Sequence, residues 1–187
     1  MRNQQSGFTM IEILVTIGIL VVGLLGLAAL QTLTTLAELE AYQRSQAVVL
    51  VRDMADRMNG NKMNLNSYVG DDVGLAYTAC AGKLGFDLDL CEWGNQLNGA
   101  SEVTSGGKNV GTMIGARGCV VALNATMPRR LQVSVVWQGL NPTVSPTGTD
   151  CGKNHYGTGD LARRAVVATV QIACLQNDPV SLLCVTP

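Results

Sequence analysis

Hydrophobic residues are concentrated at the start of the chain. Residues 13–37 carry no charged side chain, and Glu12 and Glu38 mark the two ends of this stretch. A helix of about 20 apolar residues is long enough to cross the hydrocarbon core of a bilayer. The pattern therefore predicts a transmembrane helix over about residues 13–37.

The residues that follow keep a helical pattern but become amphipathic. Thr32 to Met58 contains no proline or glycine, and its apolar side chains recur on one helical face, at Ala47, Val51, Met54 and Met58. Asn59-Gly60-Asn61 then supplies residues that tolerate the left-handed conformations found where helices end. We predict one long helix over residues 8–59, whose amphipathic second half packs against its own domain.

The remaining residues, 60–187, are predicted to form a globular head. Residues 60–115 are rich in glycine and asparagine and have weak periodicity, so we expect mostly loops, with a short helix or turn around Leu84 to Trp93. Three segments farther along indicate β-strands: Gly118–Leu123, Arg130–Gln138 and Ala165–Cys174.

The strand Arg130–Gln138 shows the clearest alternation. One face carries Leu131, Val133, Val135 and Trp137, and the other is mostly polar. The loop Gly139 to Asp160 joins two of the strands. We predict an α+β fold, in which a long N-terminal helix packs on an antiparallel β-sheet.

The charge balance gives little reason to expect nucleic acid as a partner. Charged residues are 14% of the chain, and the formal net charge is -1. Arg129-Arg130 and Arg163-Arg164 each precede a predicted strand. They would form a small basic patch if the two strand starts were adjacent, but we interpret them as solvated strand ends.

The six cysteines predict disulfides. They all follow the apolar segment, at Cys80, Cys91, Cys119, Cys151, Cys174 and Cys184. An even number without a Cys-x-x-Cys pair fits cross-links in an oxidising compartment better than a zinc site, and buried free thiols are the alternative. Six cysteines allow 15 pairings, among which the sequence does not choose. Cys80 and Cys91 are candidates to close on each other within the loop-rich region.

No cluster of residues predicts catalysis, a metal site or a cofactor. Asp87, Asp89 and Glu92 are close in sequence, but they lack the glycine and the spacing of an EF-hand, so we favour a solvated turn over calcium binding. Asp71-Asp72 is also interpreted as a turn. His155 has no nucleophile or carboxylate partner in a motif. We predict that the protein is not an enzyme.

The boundary between the polar start and the apolar segment has an unusual composition. It reads Ser6-Gly-Phe-Thr-Met-Ile-Glu-Ile-Leu-Val15, so the small residue Gly7 precedes the apolar run. A secretory signal peptide places its small residues after that run. A carboxylate such as Glu12 costs about 2.5–3.5 kcal/mol at the centre of a bilayer and less near the interface. Glu12 is therefore either an interface residue or one half of a charge pair.

This run resembles the class III signal of type IV prepilins and pseudopilins. The resemblance implies that a prepilin peptidase removes residues 1–7 by cutting after Gly7, and that the new N-terminal residue, Phe8, is N-methylated. It also implies that Glu12 meets the N-terminal amine of an adjacent subunit during assembly. The expected location is the bacterial inner membrane, with the head in the periplasm, and then the extracellular pilus.

The segment Gly18 to Gln31 is similar to the membrane helix of PilV-type minor pilins. It reads Gly-Ile-Leu-Val-Val-Gly-Leu-Leu-Gly-Leu-Ala-Ala-Leu-Gln, and no proline precedes Pro128, whereas major pilins commonly have one in this helix. We therefore expect a minor pilin that contacts other minor pilins and the major pilin through its helix, helps to initiate assembly and contributes to adhesion. A pseudopilin of a type II secretion system and a membrane-tethered periplasmic enzyme are the alternatives.

Overall fold

The computed structural model describes residues 7–99, 105, 113–125 and 129–172. The chain forms two units, Met1–Leu39 and Glu40–Pro187. Helix α1 spans Met10–Gly60 and so contributes residues to both. The predicted long helix is confirmed, and its end at Gly60 agrees with the predicted Asn59-Gly60-Asn61 stop.

In the C-terminal unit, α1 is amphipathic. Its buried side chains lie on one face, at Gln43, Ala47, Leu50, Val51, Met54 and Met58. These positions include all four apolar residues that the helical spacing selected. The main-chain N–H of Asn61 donates to the carbonyl oxygens of Arg57 and Met58, which satisfies acceptors that the end of the helix would otherwise leave open.

The described strands form one antiparallel sheet in the order β1-β2-β3-β4. Their bounds are Gly70–Val73, Ile114–Ala122, Arg129–Gln138 and Arg163–Ile172. The three predicted strands correspond to β2, β3 and β4. Together with α1 they give the α+β fold that the sequence predicts.

The region expected to be mostly loops contains more regular structure than its sequence indicates. A 3₁₀-helix spans Lys62–Tyr68, strand β1 spans Gly70–Val73, and helix α2 spans Phe86–Leu97. The expectation of a short helix or turn near Leu84 to Trp93 anticipated α2, but β1 was missed. Because β1 exists through its pairing with β2, its four residues show little periodicity of their own.

The main core lies between α1, α2 and one face of the sheet. The predicted apolar face of β3, Leu131, Val133, Val135 and Trp137, is buried there with the apolar residues of α1. Trp93 of α2 donates its indole N–H to the carbonyl oxygen of Leu50 at 2.9 Å. Trp137 donates to Oε1 of Gln43 at 3.1 Å. Both indoles are thus bonded to α1.

The opposite face of β3 is less polar in its surroundings than predicted. Ser134 and Val136 are fully buried. A second apolar cluster contains Cys119, Val136, Cys151 and Tyr156. Cys151 and Tyr156 come from the connection between β3 and β4, so part of this connection covers the sheet face opposite α1. The alternation indicated which residues share a face, but it could not show that a loop covers the second one.

Gly118 of β2 allows α2 to lie close to the sheet. A Cβ atom built at Gly118 would overlap the ring of Trp93 and would lie 2.8 Å from Cδ1 of Leu97. Trp93 and Leu97 are both almost completely buried, so neither side chain has free space into which to move. A glycine is therefore required here by space rather than by backbone conformation.

We expect Gly118→Ala to lower the free energy of unfolding by about 1–3 kcal/mol, the usual cost of overpacking a core. Denaturant unfolding of the full chain in detergent, followed by the fluorescence of Trp93 and Trp137, measures the change. Gly70→Ala is the matched control, because it is also a strand glycine and has no neighbouring atom within 4 Å of an added Cβ. Equal unfolding midpoints for the two variants would contradict the packing argument.

Candidate functional site

The residues around the predicted cleavage point lie just outside the helix. Gly7, Phe8 and Thr9 are not helical, and α1 begins at Met10. The carbonyl oxygen of Thr9 accepts hydrogen bonds from the main-chain N–H groups of Glu12 and Ile13 at 3.1 and 3.4 Å. Gly7 is exposed and Phe8 is 81% exposed. The peptide bond between them is therefore exposed and lies outside the helix.

Glu12 lies in the first turn of α1. A helix N-terminus carries a partial positive charge that favours a nearby carboxylate. Within the described residues, no basic side chain lies within 4.0 Å of the Glu12 carboxylate. Phe8, the predicted new N-terminus, is four residues before Glu12 in sequence and lies just before the start of the helix.

The first part of α1 is long and apolar enough to cross a membrane. Its most apolar 18-residue window has a mean hydropathy of 2.8, and none of that window is buried. The threonine hydroxyls in this part donate to carbonyl oxygens of the preceding turn, as Thr16 does to Ile13 and Thr32 to Ala28. Such local bonds reduce the cost of placing a hydroxyl in hydrocarbon.

Three glycines leave parts of this helix surface without side chains. Gly18, Gly23 and Gly26 have no atom within 4 Å of an added Cβ apart from their own helix backbone. Small residues allow a second helix to approach closely in a membrane. This part of α1 thus combines an apolar surface, threonine hydroxyls bonded to the helix itself, and glycines that allow close helix packing.

Residues 2–28 match the family model described as a prokaryotic N-terminal methylation motif. The chain carries a prepilin-type signal. The motif supports a type IV pilin-like family and implies processing by prepilin peptidase and assembly with other pilins. It is consistent with an inner-membrane anchor before assembly and suggests a structural subunit rather than an enzyme. No curated protein and no solved structure matches the chain.

The structure pairs four of the six cysteines. Cys80 is bonded to Cys91 of α2, and Cys119 of β2 is bonded to Cys151 in the connection between β3 and β4. The Cα atoms are 5.8 Å apart in each pair. Cys174 and Cys184 lie outside the described residues. The second bond fastens the β3–β4 connection to the face of the sheet opposite α1.

The chain just before the first disulfide is also held to α2 by hydrogen bonds. The main-chain N–H of Thr78 donates to Oδ1 of Asn95 at 2.9 Å, and Nδ2 of Asn95 donates to the carbonyl oxygen of Thr78 at 2.7 Å. The connection between β1 and α2 nevertheless exposes large apolar side chains, with Leu75, Tyr77 and Leu84 all more than half exposed.

Two of the three acidic residues that we interpreted as a solvated turn, Asp89 and Glu92, belong to an ion-pair network. Asp87, Asp89 and Glu92 all lie in α2, not in a turn. Arg57 of α1 donates to Glu92 at 2.7 Å and to Asp89 at 3.3 Å. Tyr68 also donates to Asp89, and burial, followed by this hydrogen bond, raises the pKa of Tyr68 to about 12. Within the described residues, no group of three His, Cys, Asp or Glu side chains could hold a metal ion.

The two arginine pairs do not form a basic patch. Strands β3 and β4 are antiparallel, with Arg129 opposite Ile172 and Gln138 opposite Arg163. The pairs therefore lie at opposite ends of the strands. The interpretation of Arg163 as a solvated strand end is wrong, since its side chain is only 3% exposed.

Arg163 instead organises the β3–β4 connection. Its guanidinium donates to the carbonyl oxygens of Thr149, Cys151 and Pro146 at 3.0, 2.8 and 2.9 Å. Asp160 accepts hydrogen bonds from the main-chain N–H groups of Asn154 and Tyr156 at 2.7 and 3.2 Å. Nε of Arg163 also lies 3.5 Å from Oδ2 of Asp160, and the sequence analysis missed this ion pair. Its only local signal is the three-residue spacing from Asp160 to Arg163, which many exposed ion pairs share.

The same connection borders an open polar groove of about 420 Å³, which also includes His155. Asp71 and Asp72 line it and belong to β1, so the interpretation of these residues as a turn is wrong. Asp72 has φ +59° and lies where the β1–β2 register shifts. Asp72 accepts from Arg117 at 3.2 Å. The turn-like sequence at Asp71-Asp72 thus corresponds to an irregularity within a strand.

Asp160 makes the stability of the C-terminal unit depend on pH. The hydrogen bond from Asn154, followed by those from Tyr156 and the charge of Arg163, holds the pKa of Asp160 below its ordinary value although burial opposes this. A carboxyl group whose pKa is lower in the folded state stabilises the fold above its unfolded pKa, about 3.9. This contribution is lost as the pH falls through the folded pKa.

We expect Asp160→Asn to lower the free energy of unfolding at neutral pH by about 1–3 kcal/mol, because it weakens hydrogen bonds to a buried charge. The difference from the wild type should shrink below about pH 4. Denaturant unfolding at neutral and acidic pH measures both effects. Asp150→Asn is the control, since Asp150 forms an exposed pair with Lys153 that contributes little. A difference that persists unchanged in acid would contradict the role of the Asp160 charge.

Proposed function

We propose that this chain is a minor pilin of the PilV type, a structural subunit of a type IV pilus. The observation that carries the proposal is the methylation motif of residues 2–28, whose apolar part lies within the long helix α1. The resemblance of Gly18 to Gln31 to minor pilin helices favours this subunit type. So does the absence of proline from α1, in contrast to many major pilins.

Maturation would proceed by cleavage after Gly7 and methylation of the amine of Phe8. Prepilin peptidase is the proposed enzyme for both steps. The exposed, non-helical backbone at Gly7 and Phe8 supports access to this bond. The mature chain would then begin four residues before Glu12, and residues 1–7 would act only as a leader.

Assembly would depend on a charge pair between subunits. Glu12 lies in the first turn of an apolar helix. The free-energy cost of a carboxylate without a cation there rises as water is excluded from around it. The amine of Phe8 in an adjacent subunit would supply the opposite charge. Other minor pilins and the major pilin are the proposed neighbours, and their helices would pack against the apolar part of α1.

The proposed location changes during this process. Before assembly the protein is a single-pass protein of the bacterial inner membrane with its head in the periplasm, and afterwards it is part of an extracellular pilus. A pseudopilin of a type II secretion system is the second candidate, because such proteins carry the same signal. It would remain in a periplasmic pseudopilus.

Mass spectrometry of sheared surface filaments distinguishes the two candidates. For a minor pilin, we expect the chain in the filament fraction at a small fraction of the major subunit, with methylated Phe8 as its first residue. The matched sample is a strain that lacks prepilin peptidase, in which residues 1–7 should be retained in the membrane fraction. A methylated chain found in the cell envelope and absent from surface filaments would overturn the minor pilin assignment in favour of the pseudopilin.

Replacing Glu12 tests the charge pair. We expect Glu12→Ala to reduce incorporation into filaments at least tenfold, since removing one partner of a buried ion pair costs about 3–5 kcal/mol. Quantitative immunoblots of filament and membrane fractions give the ratio. Glu38→Ala is the matched control, an exposed glutamate of the same helix, and should be incorporated normally. Undiminished incorporation of Glu12→Ala would refute the pairing.

A further inference from the structure

The first residues of α1 in the C-terminal unit lie beside the end of β3 and the start of β4. Nη2 of Arg164 donates to Oε1 of Glu40 at 3.4 Å. Trp137, which is opposite Arg164 in the sheet, donates to Gln43. The charge-free apolar segment ends at Ala37, three residues before Glu40. The chain connection alone therefore keeps this end of the unit close to the end of the predicted membrane span.

The chain that leaves β3 is fixed at the same end. Nη1 of Arg164 donates to Oγ1 of Thr143 at 2.6 Å, and Nη2 donates to the carbonyl oxygen of Asn141 at 2.6 Å. The main-chain N–H of Thr143 donates to the carbonyl oxygen of Leu161 at 2.6 Å. The guanidinium that pairs with Glu40 thus also holds the first residues of the β3–β4 connection next to α1.

Three apolar side chains at this end are exposed to solvent. The exposed fractions are 85% for Val144, 47% for Leu161 and 37% for Leu140. Val144 directly follows Thr143, and Leu140 precedes the segment that Arg164 holds. We call Leu140, Val144 and Leu161 the proximal apolar surface. Exposed apolar surfaces with a polar border are typical of contacts with another protein or with a membrane.

A lipid surface is the contact that the chain connection brings closest to these residues. Helix α1 is continuous from Ala37 to Glu40, and three residues correspond to about 4.5 Å of helix. Apolar side chains of proteins that lie on a membrane are buried about 5–10 Å into the boundary between headgroups and acyl chains. The proximal apolar surface is therefore within reach of that boundary.

We propose that Leu140, Val144 and Leu161 insert into the interfacial layer of the bilayer while the protein is anchored in the membrane. This rests on the proposed inner-membrane stage and holds for a minor pilin and a pseudopilin alike. The contact is apolar and needs no anionic lipid, because Arg164 is already paired with Glu40. It holds the head against the membrane and is released when the subunit enters a filament.

Two tryptophan variants test the contact. Val144→Trp places an indole on the proximal apolar surface. Leu84→Trp is the matched control, because Leu84 is also highly exposed, at 81%. Leu84 lies at the other end of α1, since a Cβ atom built at the next residue, Gly85, would be 3.9 Å from Nδ2 of Asn61. The part of α1 between Glu40 and its end is about 30 Å long.

The full chain is reconstituted into vesicles of phosphatidylcholine whose acyl chains are either unmodified or brominated near the glycerol. Bromine quenches indole fluorescence only at close range, and the wild type, whose Trp93 and Trp137 are buried, supplies the background. We expect brominated lipid to remove most of the fluorescence that Val144→Trp adds and to leave that of Leu84→Trp unchanged. Partial replacement of phosphatidylcholine by phosphatidylglycerol should not alter the quenching of Val144→Trp.

Other results would overturn the inference. Equal quenching of both variants would show a head that does not use this end, and quenching only with phosphatidylglycerol would show an electrostatic contact. An unquenched Val144→Trp, together with poor incorporation of Val144→Asp into filaments, would assign the surface to a neighbouring subunit. Alkaline extraction of the vesicles separates this failure from that of the proposed function. A chain that resists extraction but is not quenched refutes the lipid contact alone, whereas a released chain refutes the membrane anchor as well.

Discussion

Two indole N–H groups that need acceptors inside an apolar core determine much of the C-terminal unit. Trp93 donates to the main chain of α1 at Leu50, and Trp137 donates to the side chain of Gln43. An unpaired donor at either place would cost a substantial part of the stability of a domain this small. These bonds therefore hold α2 and the sheet to the same helix. Gly118 of β2 has no side chain, so α2 can lie directly against the sheet.

The elements that could be predicted from the sequence are those whose signal is local. The long helix follows from an uninterrupted apolar segment and a later stripe of apolar residues ending at Asn59-Gly60-Asn61. Strand β3 follows from its alternation, and its four selected residues are buried. The prepilin-type signal is also local, since a peptidase must recognise it before the filament exists. It was therefore recognised from ten consecutive residues.

What was missed depends on contacts between distant parts of the chain. The Asp89 and Glu92 carboxylates were assigned to solvent because Arg57, their partner, is more than thirty residues away. Arg163 was assigned to solvent because its acceptors are carbonyl oxygens, which every residue has. The pairing of the cysteines belongs to the same class, because spacing alone leaves many combinations equally possible. The sequence shows which side chains are able to form such bonds, but it does not show which groups surround them in the fold.

The use of carbonyl oxygens by Arg163 has a consequence for how the molecule can diversify. Its shortest hydrogen bonds, to Pro146, Thr149 and Cys151, are made to the main chain. The path of the β3–β4 connection is therefore fixed without reference to most of the side chains that it carries. Exposed residues along it can be exchanged while its buried side chains keep the sheet beneath covered. Such a connection can evolve readily. Substitutions near His155 can change the chemical character of the groove while the fold of the C-terminal unit is kept.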